Sequence, residues 1–390
     1  MANLAVEYYR PPTLGIIGGG QLAKMTAQAA FQLGCEVIVL ERKKEFPAHS
    51  LDTDFLIGDW DDPNYLLRLA SKVDVITLEN EFVDAESLAV VEREGYKLLP
   101  RAECIRIVQD KLWQKQALQR ARLPVPRFAD TPNQRAVFAA AEKFGWPILL
   151  KKRRNGYDGK GNATVKSPKE LEKAWKQLGG EANDLYVEEF CSFSKELAVM
   201  ITRAQDGAEA SYPVVETTQH DHICHIVTAP ASISKEVAAR ASEIARRAVA
   251  AIDGVGTMGV ELFVTSNGEI LINEMAPRVH NSGHYTIEAC VCSQFDNHVR
   301  AVLGWPLGST AMRAPAAVMI NLLGVGEGSG QPQNLPEALR VEGAHIHIYG
   351  KSQSAPGRKM GHVTALGGSV TQAREIAQRA ADRIRFGARE

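Results

Sequence analysis

The feature that most restricts the fold of this chain is an apolar run, Pro147-Ile148-Leu149-Leu150. It carries Lys151, Lys152, Arg153 and Arg154 into the loop Asn155-Gly156-Tyr157-Asp158-Gly159-Lys160-Gly161. A strand ending in fixed positive charge and three glycines suits a polyphosphate, because glycine lets backbone N–H groups approach the oxygens while the cations neutralise them. The stretch lacks the G-x-x-x-x-G-K-[ST] pattern of a Walker loop. It predicts instead a flap between two strands that folds over a nucleotide. An ordinary basic hairpin is the plainer reading of the same residues.

Around this loop the pattern is α+β: a helix over Asn133–Phe144, a strand over Ala163–Lys166, a helix over Pro168–Leu178 and a strand over Leu185–Glu189. Upstream, strands at Leu14–Ile17, Val37–Leu40 and Val73–Leu78 alternate with helical segments such as Gln21–Leu33, which predicts a parallel sheet covered on both faces. One helix is expected over Ile105–Ala121, ended by Leu123-Pro124-Val125-Pro126. Further on, Val237, Ala241, Ile244, Ala248 and Ile252 form the apolar face of a helix, and a last helix spans Gln372–Phe386. Four units follow: 1–122, 123–190, 191–304 and 305–390.

Two other clusters bear on chemistry. Gly18-x-Gly20-x-x-Ala23 follows a strand, opens a helix and has Glu41 at the end of the next strand, as in a dinucleotide fingerprint. A helix N-terminus behind glycines serves any phosphorylated ligand, and a tight turn needed only for packing would look the same. The strands Gly259–Val264 and Ile270–Glu274 flank Ser266-Asn267-Gly268, a hairpin signal that puts Glu261 and Glu274 among apolar neighbours. Buried carboxylates need compensation, which magnesium or a basic side chain supplies. Gln219-His220-Asp221-His222-Ile223-Cys224-His225 invites a zinc site, but successive same-face strand residues splay too far for one tetrahedral ion, so a solvated turn is expected.

Lys plus Arg number 45 against 46 Asp plus Glu, which gives no global field toward nucleic acid or membrane. No apolar run reaches the ~20 residues that span a bilayer, and the N-terminus lacks the pattern of a secretory signal. The six cysteines form no C-x-x-C pair, and a reduced, cytoplasmic enzyme is expected.

Lys151 and its glycine loop, Tyr186-Val187-Glu188-Glu189 and the two-glutamate hairpin together resemble the ATP-grasp superfamily. Gly18-Gly19-Gly20-Gln21-Leu22, Pro277-Arg278-Val279-His280-Asn281-Ser282-Gly283-His284 and Pro356-Gly357-Arg358-Lys359-Met360-Gly361-His362 resemble, within it, the N5-carboxyaminoimidazole ribonucleotide synthetases of purine biosynthesis. The resemblance implies an α/β chain with an ATP-grasp fold: an N-terminal Rossmann-like domain, a small α+β lid and a C-terminal mixed α/β region. It implies a ligase in which ATP activates bicarbonate as carboxyphosphate, and the carboxyl group passes to the amine of 5-aminoimidazole ribonucleotide. It also implies magnesium (two ions with ATP), no organic prosthetic group, and a homodimer.

The same resemblance distributes roles. Lys111, Lys151 and the loop residues Gly156, Tyr157, Asp158, Gly159, Lys160 and Gly161 would hold ATP. Glu188, Glu189, Phe190 and Cys191 would read the adenine edge, Glu196 the ribose, and Gln219 stands where the family usually has histidine. Glu261 and Glu274 would bind metal beside Asn273. Gly20, Gln21 and Leu22 would cradle the ribonucleotide phosphate, with Lys351 and Arg358 closing on it. Glu79, favoured over Glu81, would contact its ribose. Asp158 would face its amine, and Arg278, His280 and Asn281 would hold bicarbonate or carboxyphosphate. An oxidoreductase built on the Gly18 turn and Glu41 is the rival from another class, and another ATP-grasp ligase is the near alternative.

Overall fold

The computed structural model describes residues 10–51, 53–156 and 161–387. Tyr157, Asp158, Gly159 and Lys160 lie outside the described residues, so the roles expected of them have no geometry here. The first unit contains β1 (Thr13–Ile17), α1 (Gln21–Gln32), β2 (Glu36–Glu41), β3 (Asp54–Ile57), α2 (Pro63–Ala70), β4 (Val75–Leu78) and α3 (Ala85–Arg93). Its strands pair in parallel in the order β3-β2-β1-β4. Every residue of β1 is buried, which is why it reads as an unbroken apolar run rather than an alternating one.

The helix expected over Ile105–Ala121 is two helices, α4 (Ala102–Gln109) and α5 (Lys111–Arg120). Asp110 breaks it with an extended ψ of 104° and accepts from the backbone N–H groups of Leu112 (3.1 Å) and Trp113 (3.2 Å). Aspartate competes with a helix interior and favours an N-cap. The same buried carboxylate binds the Arg153 guanidinium at 2.7 Å, which ties α5 to the start of the glycine loop.

The lid contains β5 (Phe128–Asp130), α6 (Gln134–Phe144), β6 (Ile148–Lys152), β7 (Asn162–Val165), α7 (Leu171–Gln177) and β8 (Leu185–Glu189). Its antiparallel order is β5-β8-β6-β7, and the glycine loop links β6 to β7.

The rest begins with β9 (Phe193–Arg203), β10 (Glu209–Ser211), β11 (Val215–His220), β12 (Ile223–Ala229), α8 (Lys235–Ala251), β13 (Gly256–Thr265) and β14 (Ile270–Ala276). It continues with α9 (Thr286–Ala289), α10 (Gln294–Leu303), β15 (Ala316–Leu323), β16 (Gly328–Ser329), α11 (Leu335–Leu339), β17 (Ala344–Ile348), β18 (Gln353–Ser354), β19 (Lys359–Gly367) and α12 (Val370–Ala381). One sheet runs β14-β13-β9-β11-β12-β15-β19-β17, with β10 on β9, so strands on both sides of residue 304 share it. Register shifts interrupt it at Thr218/Gln219, Glu261/Leu262 and Leu322/Leu323. Such bulges bend a strand and sharpen its twist. The last helix stops at Ala381 rather than Phe386, because the chain turns back to bury Ile384 and Phe386 against β15 and β19.

Candidate active site

A cleft of about 1290 Å³ lies between the lid, the large sheet, the first unit and the segment before β19. Every described residue expected at the site lines it except Gly20 and Glu79.

At the lid side, β6 places Lys151 so that its Nζ lies 3.2 Å from Glu188 Oε2 on β8. Glu188 is almost wholly buried and also takes the Tyr186 hydroxyl at 2.7 Å and Lys115 Nζ at 3.4 Å. Its carboxylate therefore points inward to three donors, not to an adenine edge as expected. Burial alone would raise its pKa, but Lys115 and Lys151 hold it down to about 2. Lys115 was missed in the sequence; it lies one helical turn beyond Lys111 and donates to the carbonyls of Ile272 (3.0 Å) and Asn273 (2.7 Å), bracing β14 from behind. Burial pushes Lys115 down to about 8 despite Glu188. Glu189 is likewise committed, bidentate with Arg127 at 2.6 and 2.7 Å. Phe190 and Cys191 are more open, and Phe193 stacks on Phe263 at 4.4 Å along the same wall.

The sign of the Glu188 shift gives a measurable consequence. A carboxylate whose folded pKa lies near 2, against an ordinary value of about 4.3, stabilises the fold above the ordinary value. That contribution drains away as pH falls through the interval, up to ~3 kcal/mol in all. Urea unfolding between pH 5 and pH 3 is expected to show a steeper loss for the wild type than for Glu188→Gln. Parallel pH dependences would remove the ion-pair account.

Glu261 and Glu274 sit on the two strands of the expected hairpin, β13 and β14, and the bulge after Glu261 makes them register partners. Lys111 forms an ion pair with Glu274, and Asn273 Nδ2 lies 3.4 Å from Glu261 Oε2. Burial, then the charges of Glu274 and Glu196, push Glu261 up to about 8. Glu274 is held low, since Lys111 and Lys151 outweigh its own burial. Two part-buried carboxylates facing the cleft, with one lysine paired to Glu274, are short of positive charge, which is the condition a hard divalent cation relieves. Glu196 is raised by burial and hydrogen-bonded to Gln219, so the residue in the place of a histidine reaches the cleft as a neutral amide.

His280 follows β14, with Nε2 3.7 Å from Glu261 Oε1 and Nδ1 3.4 Å from the Ser282 N–H. Burial, then Arg278 and Lys359, push its pKa down to about 3, so the ring is neutral. Arg278 is bidentate with Glu81 at 2.5 and 3.0 Å. Asn281 exchanges side-chain amide bonds with Asn321 at 2.9 and 2.7 Å.

The glycine turn departs from expectation. Glu79 does not line the cleft; its carboxylate accepts from Ala23 N at 3.1 Å, capping α1. A Cβ on Gly20 would stand 2.3 Å from Glu79 Oε1, so glycine is needed there for the acid rather than for a phosphate. The acid facing the cleft is Glu81, two residues on. Gln21 and Leu22 still line the cleft, whereas Gly20 does not. Glu41 binds Gly19 N at 2.8 Å, and a Cβ on Gly19 would meet the Phe46 ring at 2.4 Å. The dinucleotide reading loses both its acid and its open glycine face.

On the far side, Lys351 Nζ donates to the Lys359 carbonyl at 2.7 Å and Arg358 Nη1 to the Gln353 carbonyl at 2.6 Å; both line the cleft. In the His220–His225 stretch, Asp221 and His222 have φ of 49° and 63°, making a tight hairpin turn. Among the described residues no three His, Cys, Asp or Glu side chains converge on a metal-sized site, and zinc has no support.

Comparison with known proteins agrees with this layout. Residues 12–109 match the ribonucleotide synthetase preATP-grasp domain, 116–295 the ATP-grasp domain and 317–376 the phosphoribosylaminoimidazole carboxylase C-terminal domain. An N5-carboxyaminoimidazole ribonucleotide synthase of Synechococcus elongatus is 42% identical over 94% of this chain and 92% of its own length. The chloroplastic phosphoribosylaminoimidazole carboxylase of Vigna aconitifolia is 41% identical over 92% of this chain, which spans only 64% of that longer protein. The crystal structure of the Aspergillus clavatus N5-carboxyaminoimidazole synthase with ADP and 5-aminoimidazole ribonucleotide matches with a TM-score of 0.87 and 36% identity, over 95% of this chain and 98% of that one.

Proposed function

The chain belongs to the N5-carboxyaminoimidazole ribonucleotide synthetase family of ATP-grasp enzymes, and from that premise we propose that it uses ATP and bicarbonate to carboxylate the exocyclic amine of 5-aminoimidazole ribonucleotide, releasing ADP and phosphate. The observation that carries this reading is the convergence in one cleft of Lys111 and the lid's Lys151, a paired-carboxylate hairpin, a neutral His280 beside Arg278, and a second pair of cations, Lys351 and Arg358.

A bicarbonate oxygen attacks the γ-phosphorus, the bond to ADP breaks, and carboxyphosphate forms. Its carboxyl group then passes to the amine, which loses a proton as phosphate departs. Lys111 and Lys151 neutralise the polyphosphate, and Lys115 and Glu188 hold Lys151 at its fixed height. Glu261 and Glu274, with Asn273, are the residues that would hold magnesium, two ions in the presence of ATP; when bound, magnesium neutralises phosphate oxygens in the transfer. Arg278, anchored by Glu81, and the neutral His280, whose Nδ1 faces the Ser282 N–H and leaves Nε2–H as its donor, present donors to the bicarbonate oxygens. The adenine edge falls to backbone groups at Glu189–Cys191, because the Glu188 and Glu189 carboxylates are engaged elsewhere. Phosphate on the ribonucleotide falls to Lys351 and Arg358, with the Gln21 and Leu22 end of α1 as the opposite wall.

Among the described residues no helix is long and apolar enough to cross a membrane, and all six cysteines are free, which supports a reducing, cytoplasmic setting. Homodimer assembly rests on the family resemblance alone. The test is phosphate release from ATP by the purified chain. It is expected to require 5-aminoimidazole ribonucleotide and bicarbonate together, with one carboxylated product for each ADP. Phosphate release indifferent to the ribonucleotide would overturn this reading in favour of another ATP-grasp ligase.

A further inference from the structure

Gln294 opens α10 and is completely buried, yet its side-chain amide makes three hydrogen bonds outside its own helix. Its Oε1 accepts from the backbone N–H of His280 at 2.9 Å, and its Nε2 donates to the carbonyl of the same residue at 2.8 Å. Nε2 also lies 3.1 Å from Nδ1 of the buried His284. A carboxamide that pairs with both peptide groups of one residue does what an adjacent strand does in a ladder. His280 has left β14 and precedes the short turn Asn281–Gly283, so no strand partners it there. Gln294 supplies the missing pairing.

The clamp is itself rigid. Ser293 and Asp296 close a reciprocal capping box around the start of α10, and the Gln294 N–H donates to Thr286 Oγ1 at 2.9 Å. Two glycines leave room for it: a Cβ on Gly283 would stand 2.4 Å from Gln294 Oε1, and a Cβ on Gly259 2.6 Å from the His280 Cβ. His280 is thereby gripped along its backbone on one side and packed against β13 on the other.

We infer that Gln294 is a positioning residue for the carboxylation: by fixing the His280 backbone it aims the imidazole and the flanking Arg278 and Asn281 at bicarbonate. This rests on the reading that the Arg278–Asn281 segment holds bicarbonate. A misaimed segment binds bicarbonate weakly and lets carboxyphosphate escape to water before the amine captures it. The side-chain hydrogen bonds of Gln294 reach only His280 and His284, not the lysines and lid residues that hold the nucleotide.

The experiment compares Gln294→Met, which keeps the volume and removes all three bonds, with Gln294→Glu, which keeps the acceptor and loses both donors. Each is made in the wild type and in His280→Ala, and thermal melts verify the fold. The readouts are KM for bicarbonate, KM for ATP, and ADP formed per ribonucleotide carboxylated. Gln294→Met is expected to raise the bicarbonate KM about tenfold, of the order that lost hydrogen bonds allow. It should also raise the ADP-to-product ratio above one and move the ATP KM by less than about twofold. In the His280→Ala background its effect should shrink without vanishing, because the backbone pairing at position 280 survives and still aims Arg278 and Asn281. A uniform fall in every parameter, no effect, or an undiminished effect in that background overturns the inference. A silent Gln294→Met beside a strongly impaired His280→Ala removes the clamp and leaves the bicarbonate reading standing. A silent His280→Ala removes both. Should Gln294→Met fail to fold, Gln294→Glu carries the same comparison.

Discussion

Glu274→Gln leaves a folded protein that still binds the ribonucleotide but turns over roughly 10²–10³-fold more slowly at saturating magnesium, the scale set by losing one preorganised charge at a phosphoryl-transfer site. The substitution changes charge and almost nothing else, because glutamine fills the same space between β13 and β14. It frees Lys111 from its ion pair and removes the charge that helps keep Glu261 protonated. Glu261 then ionises more readily, so the hairpin retains one carboxylate where it had two candidates. A partial recovery with excess magnesium is therefore expected in KM for the metal, with the deficit in kcat remaining. Steady-state rates against magnesium concentration, with circular dichroism to verify the fold, decide it. Wild-type kcat in this variant would sink the metal role.

The second large effect belongs to the other end of the cleft. Lys351→Ala and Arg358→Ala are each expected to raise the KM for the ribonucleotide by about 10–100-fold, the range of a lost charge-assisted hydrogen bond, and together by more. The KM for ATP should stay within about twofold, since the polyphosphate cations sit on β6 and α5. Both side chains reach the cleft from the segment before β19, where they donate to the carbonyls of Lys359 and Gln353. Those neutral contacts are exchangeable for a phosphate dianion. Equal increases in both KM values would mean that the substitutions loosen the segment rather than remove a clamp.

Local chemistry makes some of this architecture legible in the residues and leaves the rest to distant partners. The Ser266-Asn267-Gly268 turn was enough to pair the two glutamate-bearing strands as a hairpin, but an unbroken register from Leu262 and Ile272 would set Glu261 opposite Asn273, and the bulge after Glu261 moves it opposite Glu274. The Arg278–His284 stretch was legible for a different reason: its resemblance is specific. Long-range partners were not legible. Asp110 sits in an apolar helical pattern, and the Arg153 that stabilises its break comes 43 residues later. Glu79 and Glu81 leave β4 two residues apart with similar surroundings in sequence. Only the packing of α1 over the sheet turns one under the glycine turn and the other to Arg278. Lys115 and Gln294 have unremarkable flanks, and their value lies in carbonyls and peptide groups supplied by other elements.

The shared sheet gives the cleft a gauge. Five strand-to-strand steps separate the Glu261 carboxylate on β13 from β19, whose approach carries the phosphate cations. At ~4.8 Å a step a flat sheet would hold them ~24 Å apart. Both ends nevertheless line one cleft, and the bulges at Gln219, Glu261 and Leu323, which bend a strand, fall in strands along that span. The span offered to the substrate is thus written in backbone bending, as the opening of a caliper is set by its hinge. Deleting Leu323, the one of these bulge residues outside the cleft lining, would re-gauge the instrument for a longer or shorter span while leaving every jaw in place.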